Sequence, residues 1–250
     1  INEQILFDVE KKEEISINQI KDALKSNPND IAALIIEPIQ GEGGDNHFRY
    51  EFFEKLRNLA DEHEFLLIYD EVQTGIGITG KMWAHQHFTP SLPDIISFGK
   101  KTQVCGILAG ERVKEVENNV FKKSSRINST FGGSLTDMVR FKVILETIRD
   151  FDLLNSAKDN GSYLLNKINE LENEFPAFIT NSRGLGLFCA FDLPSSIERD
   201  KLTAEAYKNN LLILGCGVKS IRFRPHLTVS KSEIDFAIDV IKKSVSNLLK

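Results

Sequence analysis

Two stretches decide the reading of this chain: Leu66-Leu67-Ile68-Tyr69-Asp70-Glu71 and Ile95-Ile96-Ser97-Phe98-Gly99-Lys100. Each is a short apolar run bounded by turn residues, the pattern of a buried strand, and each ends in charge. In open parallel sheets, ligands bind outside the carboxyl ends of the strands. The two runs therefore bring a carboxylate and an amine to the place where such a sheet does its chemistry.

Upstream, residues 31–36 form a third apolar run, expected to be a strand covered on both faces, and it ends in Glu37 and Pro38. A glycine-rich loop with Gly41, Glu42, Gly43 and Gly44 follows. Phe52, Phe53, Leu56, Leu59 and Ala60 then recur at helical spacing and predict an amphipathic crossover helix. Strand, helix and strand in this order predict a βαβ unit in a parallel sheet. Near the start, Ser16 with Gln19 three residues on reads as a capping box, opening a short helix that ends near Asn27 and Pro28.

Downstream, the pattern predicts a short strand over 104–110, a polar helix over 113–121, and helical spacing over 135–174 with breaks near Phe151 and Gly161. Beyond Phe175 and Pro176, strands over 188–193, 211–214 and 221–223 and helices over 198–209 and 231–249 predict a small α/β domain. The expected organisation is part of a large domain over 1–150, a connecting helix over 151–175 and a small C-terminal domain over 176–250.

Composition excludes several function classes. The chain has 250 residues, 41% of them hydrophobic, enough to bury a sizeable core. Its net charge of -5 and lack of a basic stripe argue against nucleic acid. No apolar run reaches the roughly 20 residues of a membrane span. Cys105, Cys189 and Cys216 are widely spaced, pointing to neither a disulfide framework nor zinc, and a cytoplasmic setting is the expectation. The chain opens on Ile1 rather than Met, as expected of a processed product or a fragment.

Two chemistries compete for the central stretch. Gly75 to Lys81 matches GxxxxGK, but Met82 stands where a phosphate loop needs Ser or Thr for magnesium, and the loop follows the acidic strand instead of preceding it. The other reading is a pyridoxal phosphate site, which needs a lysine for the Schiff base and an acid for the pyridinium nitrogen. Asp70 and Lys100 suit those roles, a carboxylate favouring the protonated ring and a displaced amine serving as base. Spacing alone leaves open a solvated loop lysine and a turn aspartate. His85 and His87 read as surface residues instead of a metal pair, Glu170, Glu172 and Glu174 as a solvated helix face, and Cys105 as a small packing residue.

Four motifs carry a resemblance: Glu37-Pro38-Ile39-Gln40-Gly41-Glu42-Gly43-Gly44, Tyr69-Asp70-Glu71-Val72-Gln73-Thr74-Gly75, Pro93-Asp94-Ile95-Ile96-Ser97-Phe98-Gly99-Lys100 and Ser129-Thr130-Phe131-Gly132-Gly133. In this order they resemble the signatures of class III aminotransferases. Lys100-Lys101-Thr102-Gln103-Val104-Cys105-Gly106 and Ile221-Arg222-Phe223-Arg224-Pro225-His226-Leu227-Thr228-Val229-Ser230 are most similar to the lysine 6-aminotransferase branch. The resemblance implies an α/β, fold type I pyridoxal-phosphate transferase, represented by the later part of its mostly parallel large domain and its small domain.

It also implies roles. Lys100 would carry pyridoxal 5'-phosphate covalently, with Lys101 as its rival; Asp70 would hold the ring nitrogen; Val72 would pack on a ring face; Gln73 would reach the ring hydroxyl or the substrate. Thr130 would contact the cofactor phosphate from a neighbouring subunit, with Ser129 and Asn128 at the same interface, so a homodimer is implied. In related ω-aminotransferases the residue matching Glu42 covers the one matching Arg222, then releases it to the oxoacid carboxylate; Arg222 suits this better than Arg224 by motif position. The implied reaction moves the ε-amino group of L-lysine to 2-oxoglutarate, giving glutamate and 2-aminoadipate 6-semialdehyde. Ornithine or 4-aminobutyrate aminotransferases share the chemistry. A catalytically incomplete fragment or dimerisation module is a further expectation, because no glycine-rich phosphate cup precedes Ile31.

Overall fold

Helix α1 (Glu3–Ser26) opens the chain in a computed structural model that describes residues 3–249. Strand β1 (Ala33–Ile36) follows, and a small hairpin, β2 (Ile39–Gln40) with β3 (Asn46–His47), frames the glycine loop. Helix α2 (Tyr50–Glu62) crosses to β4 (Leu66–Asp70); β5 (Ile95–Phe98) and β6 (Gly106–Ala109) complete a four-stranded sheet of order β1-β4-β5-β6. The first three strands are parallel, and β6 runs antiparallel to β5. The predicted βαβ unit is present, with all five apolar positions of α2 buried against Leu67 and Tyr69. Phe53 stacks 4.4 Å from Phe88 and meets Tyr69 edge-on at 5.4 Å. Burying a side chain of this size is worth roughly 1.5–3 kcal/mol.

Helices α3 (Leu135–Asp150) and α4 (Leu153–Glu174) lead to a second sheet. Its strands are β7 (Thr180–Leu185), β8 (Phe188–Asp192), β9 (Leu214–Cys216) and β10 (Ser220–Phe223), antiparallel in the order β7-β8-β10-β9. Helix α5 (Ser196–Lys208) lies between β8 and β9, and α6 (Lys231–Leu248) follows β10. Phe188 and Phe191 of β8 are fully buried among Leu164 and Ile168 of α4, Leu202 of α5 and Ile241 of α6. A capping box of Ser230 and Glu233 starts α6.

Several local expectations are corrected. Ser16 does not cap a short helix: α1 runs through it, and its hydroxyl bonds back to the Lys12 carbonyl at 3.1 Å. Strand β1 is an edge strand, and Ile35 is 64% exposed instead of covered. The segment after β6 forms a single 3-10 turn, Glu111–Glu115, and not a helix over 113–121. Gly161 does not interrupt α4: it lets the helix touch Gly186, whose carbonyl carbon is 2.1 Å from where a Cβ would stand. Strand β7 was not anticipated, and β9 begins at Leu214, where the predicted strand over 211–214 ends. Glu172 is more than a solvated residue, since it accepts the Asn181 and Ser182 N–H groups at 3.1 and 3.0 Å and anchors β7.

Candidate active site

The acidic pair at the end of β4 divides into two roles, because successive side chains of a strand leave on opposite faces. Glu71 points inward and is fully buried, accepting Thr74 Oγ1 at 3.0 Å, the Ala84 and His85 N–H groups at 2.6 and 2.8 Å, and contacting His85 Nδ1 at 2.9 Å. Those donors offset the cost of burying a carboxylate. His85 is therefore buried, correcting its expected surface position, and His87 is half-buried against the Thr79 hydroxyl at 3.2 Å.

Asp70 points to the sheet's carboxyl end. Its Oδ1 accepts the Val72 N–H at 3.0 Å and the Ser97 hydroxyl at 3.1 Å, Ser97 being its register partner on β5. Its Oδ2 makes no hydrogen bond among the described residues. Ser97 thus orients the carboxylate while leaving one oxygen for a ligand.

Lys100 follows β5 at the start of the 3-10 turn Lys100–Thr102, with φ at 53°. A side-chain-bearing residue in the left-handed region costs roughly 1–3 kcal/mol, and such cost gathers at functional sites. Lys100 Nζ has no hydrogen-bond or ion-pair partner among the described residues. The residue lines a cleft of about 580 Å³ with Gln73, Lys101 and Arg224, walled by Ile144, Ile148 and Leu153. Lys101 is committed elsewhere: its Nζ donates to the Gln73 carbonyl at 2.6 Å. Burial, assisted by the nearby Arg224 charge, brings the Lys101 pKa down to about 8. Val72 and Cys105 lie against Gly99, and the Gln73 side chain lies against Gly41; Cys105 itself is exposed. Asp70 lines a separate depression with Glu37, Gln40 and Phe48, so it and Lys100 do not share one cleft within this chain.

Two arginines of one strand end meet two acids of one loop. Arg222 Nη1 donates to Glu42 Oε2 at 2.6 Å, with the Glu42 side chain 72% exposed and that of Arg222 13%. Arg224 pairs with Asp45, which is fully buried, and stacks on Phe188 with its guanidinium carbon 3.1 Å from the ring centroid. Desolvation is the largest influence on Asp45 and pushes its carboxyl above the usual carboxylate range, against the pull of Arg224 and Arg183.

Asn128, Ser129 and Thr130 stand apart. They are exposed on the loop before α3 and line neither depression within this chain. The phosphate-loop rival gains no support, since Gly75 to Lys81 folds as consecutive turns and Lys81 Nζ bonds the Gln86 carbonyl at 2.8 Å. Sequence reasoning missed Ser97, Asp45 and Arg183. Ser97 sits inside a quoted motif, whereas Asp45 and Arg183 meet only through long-range contacts.

The sequence matches the family described as aminotransferase class-III over residues 2–245. The chain belongs to the class III aminotransferases. It is 50% identical over 230 residues to the L-lysine-epsilon aminotransferase of Mycobacterium tuberculosis, covering 92% of this chain and 51% of that protein. It is 45% identical over 233 residues to the enzyme of that name from Amycolatopsis lactamdurans, covering 93% and 52%. It is 37% identical over 231 residues to the mitochondrial 4-aminobutyrate aminotransferase of Rattus norvegicus, covering 90% and 45%. The solved lysine aminotransferase from M. tuberculosis in the internal aldimine form superposes with a TM-score of 0.92 at 49% identity, over 94% of this chain and 54% of that one. The chain spans about half the length of the curated relatives it matches.

Class III aminotransferases depend on pyridoxal phosphate, and their architecture is fold type I. Two observations in this chain fit the cofactor: an unpaired amine on a strained turn, and a carboxylate oriented through one oxygen with the other unclaimed. They are the two groups the cofactor's carbonyl carbon and ring nitrogen require.

Proposed function

We propose that this chain carries the lysine anchor and amino-group-transfer chemistry of a ping-pong L-lysine 6-aminotransferase, with 2-oxoglutarate as acceptor and glutamate and 2-aminoadipate 6-semialdehyde as products. The observation that carries the reading is the Glu42–Arg222 pair, two residues along the chain from Arg224, which lines the lysine cleft; the names of the relatives at 45 to 50% identity support it. Pyridoxal phosphate, when bound, supplies a carbonyl that takes up amines and a ring that accepts an electron pair. Lys100 Nζ would hold that carbonyl carbon. Its amine would also serve as the base for the proton on the substrate carbon that bears the ε-nitrogen. Asp70 keeps a proton on the ring nitrogen, and Ser97 and the Val72 N–H keep Asp70 aimed. Val72 would cover a ring face and Gln73 would reach the ring hydroxyl or the substrate.

A 6-aminotransferase must accept an amine with no adjacent carboxylate and then an oxoacid that has one. Glu42 covers Arg222 for the first and swings away for the second. A charge-assisted arginine–carboxylate bond is worth roughly 1.5–3 kcal/mol, enough to select an oxoacid and small enough to exchange. Thr130, with Ser129 and Asn128, serves the site of a second subunit in a homodimer, in keeping with their exposure here. The free thiols of Cys105, Cys189 and Cys216 support a reducing cytoplasm as its setting.

Half-reaction rates test the reading. After addition of pyridoxal phosphate, L-lysine should convert the bound cofactor faster than L-ornithine or 4-aminobutyrate, and 2-oxoglutarate should reverse the change. Faster turnover of 4-aminobutyrate would replace the lysine assignment with that of the relatives at 36 to 37% identity.

A further inference from the structure

The glycine loop that carries Glu42 is held from two sides by the antiparallel sheet. From β7, Arg183 donates through Nε to the Asp45 carbonyl at 2.8 Å and through Nη2 to the Gly44 carbonyl at 2.6 Å. Its remaining contacts fix the guanidinium itself: Nη2 to Ser220 Oγ at 3.0 Å, Nη1 to the Asn181 carbonyl at 2.7 Å and Nη1 to Asp192 Oδ1 at 2.9 Å. Five acceptors surround a rigid fork with five N–H donors, so little freedom remains. From the β9–β10 turn, the Gly217 N–H donates to the Glu42 carbonyl at 2.8 Å. Gly217 has φ at +53°, and a Cβ there would stand 2.7 Å from Gly44 Cα. Within the loop, Gly44 and Asp45 donate their N–H groups to the Gly41 carbonyl, and Gly41 donates to Glu37 Oε2 at 3.0 Å. The loop backbone is thus held at several residues, while the Glu42 side chain is 72% exposed.

We infer that Arg183 is a positioning residue that pins the loop under Glu42, so that uncovering Arg222 is a rotation of the Glu42 side chain on a fixed backbone and not a movement of the loop. This rests on reading Glu42–Arg222 as the oxoacid-selecting pair. A fixed backbone keeps both the paired and the open arrangement within reach of one set of rotamers. A mobile loop would add ordering cost to each exchange.

Amide hydrogen exchange on this chain, read residue by residue, tests it with Arg183→Lys, which keeps the charge and loses the fork. Exchange at Gly44, Asp45 and Gly217 should rise on the order of tenfold, as loss of a charge-assisted bond implies. Amides of β8 and α6 should keep their original rates. Gly217→Ala, which presses on the loop without touching the guanidinium, should give the same local pattern. In the half-reactions, Arg183→Lys should raise KM for 2-oxoglutarate and leave kcat with the amine unchanged. Unchanged exchange at the three amides, or a rise shared equally by β8 and α6, overturns the inference. Glu42→Gln separates the two claims: it should leave exchange untouched and change oxoacid preference. If preference stays as in the parent chain while Arg183→Lys still loosens the loop, the selection reading fails and the anchoring stands.

Discussion

Glu42–Arg222 and Asp45–Arg224 join the same loop to the same strand end with the same chemistry, yet they differ in burial. The Glu42 carboxylate is largely in water; the Asp45 carboxylate is sealed from it beneath Arg224 and Phe188. An exposed ion pair is worth at most about 1 kcal/mol, whereas breaking a buried one leaves an uncompensated charge. The first is therefore suited to exchange partners during turnover, and the second to hold the loop to the strand end. Sequence position favours Arg222 as the exchanging arginine, and burial supplies the physical reason.

The largest expected effect is on the buried pair. Arg224→Met should destabilise the chain by about 3–5 kcal/mol in a urea titration, because Asp45 is left enclosed without its partner. Adding Asp45→Asn should recover part of that loss; full additivity of the two changes would break the distinction. Arg222→Met should cost less than about 1 kcal/mol of stability. It should slow the 2-oxoglutarate half-reaction on the order of tenfold to a hundredfold, with the lysine half-reaction little affected. Equal losses in both half-reactions would mean that Arg222 does not discriminate.

The most gradual effect, spread over several pH units, concerns Lys101. Lys101 has a pKa of about 8 in the folded chain, below its usual 10.5, chiefly through burial. Between those values the unfolded chain holds more protons at this position than the folded one. Stability from this group therefore rises with pH across that window and is lost as pH falls through it. The slope is at most about 1.4 kcal/mol per pH unit. Lys101→Met should flatten the rise; an unchanged slope would place the titration elsewhere.

Much of the site was legible because charge interrupts apolar runs where strands end. Asp70 and Lys100 stand out for that reason, and the motifs around Glu42 and Arg222 add a pattern that composition lacks. What stayed hidden depends on register and on distance along the chain. Ser97 reads as an ordinary strand residue until parallel pairing sets it level with Asp70. Arg183 meets Asp45 across 138 residues, with no local signal to announce it. In sequence Glu71 is equivalent to Asp70, and only strand alternation sends one to the carboxyl end of the sheet and the other into the core. The extent of α1 was missed because Ser16 can serve equally as a cap or as a back-bonded helix residue. An apolar run does not tell one covered face from two: among the described residues β1 alternates exposed and half-buried positions, and Ile35 lies on the open face.

Lys100, and not its half-buried neighbour Lys101, is the amine proposed to hold the cofactor. Borohydride reduction of the chain after incubation with pyridoxal phosphate, followed by peptide mapping, tests it directly. The label should fall on Lys100 and vanish in Lys100→Ala. A label on Lys101, or one that survives in Lys100→Ala, would contradict the account.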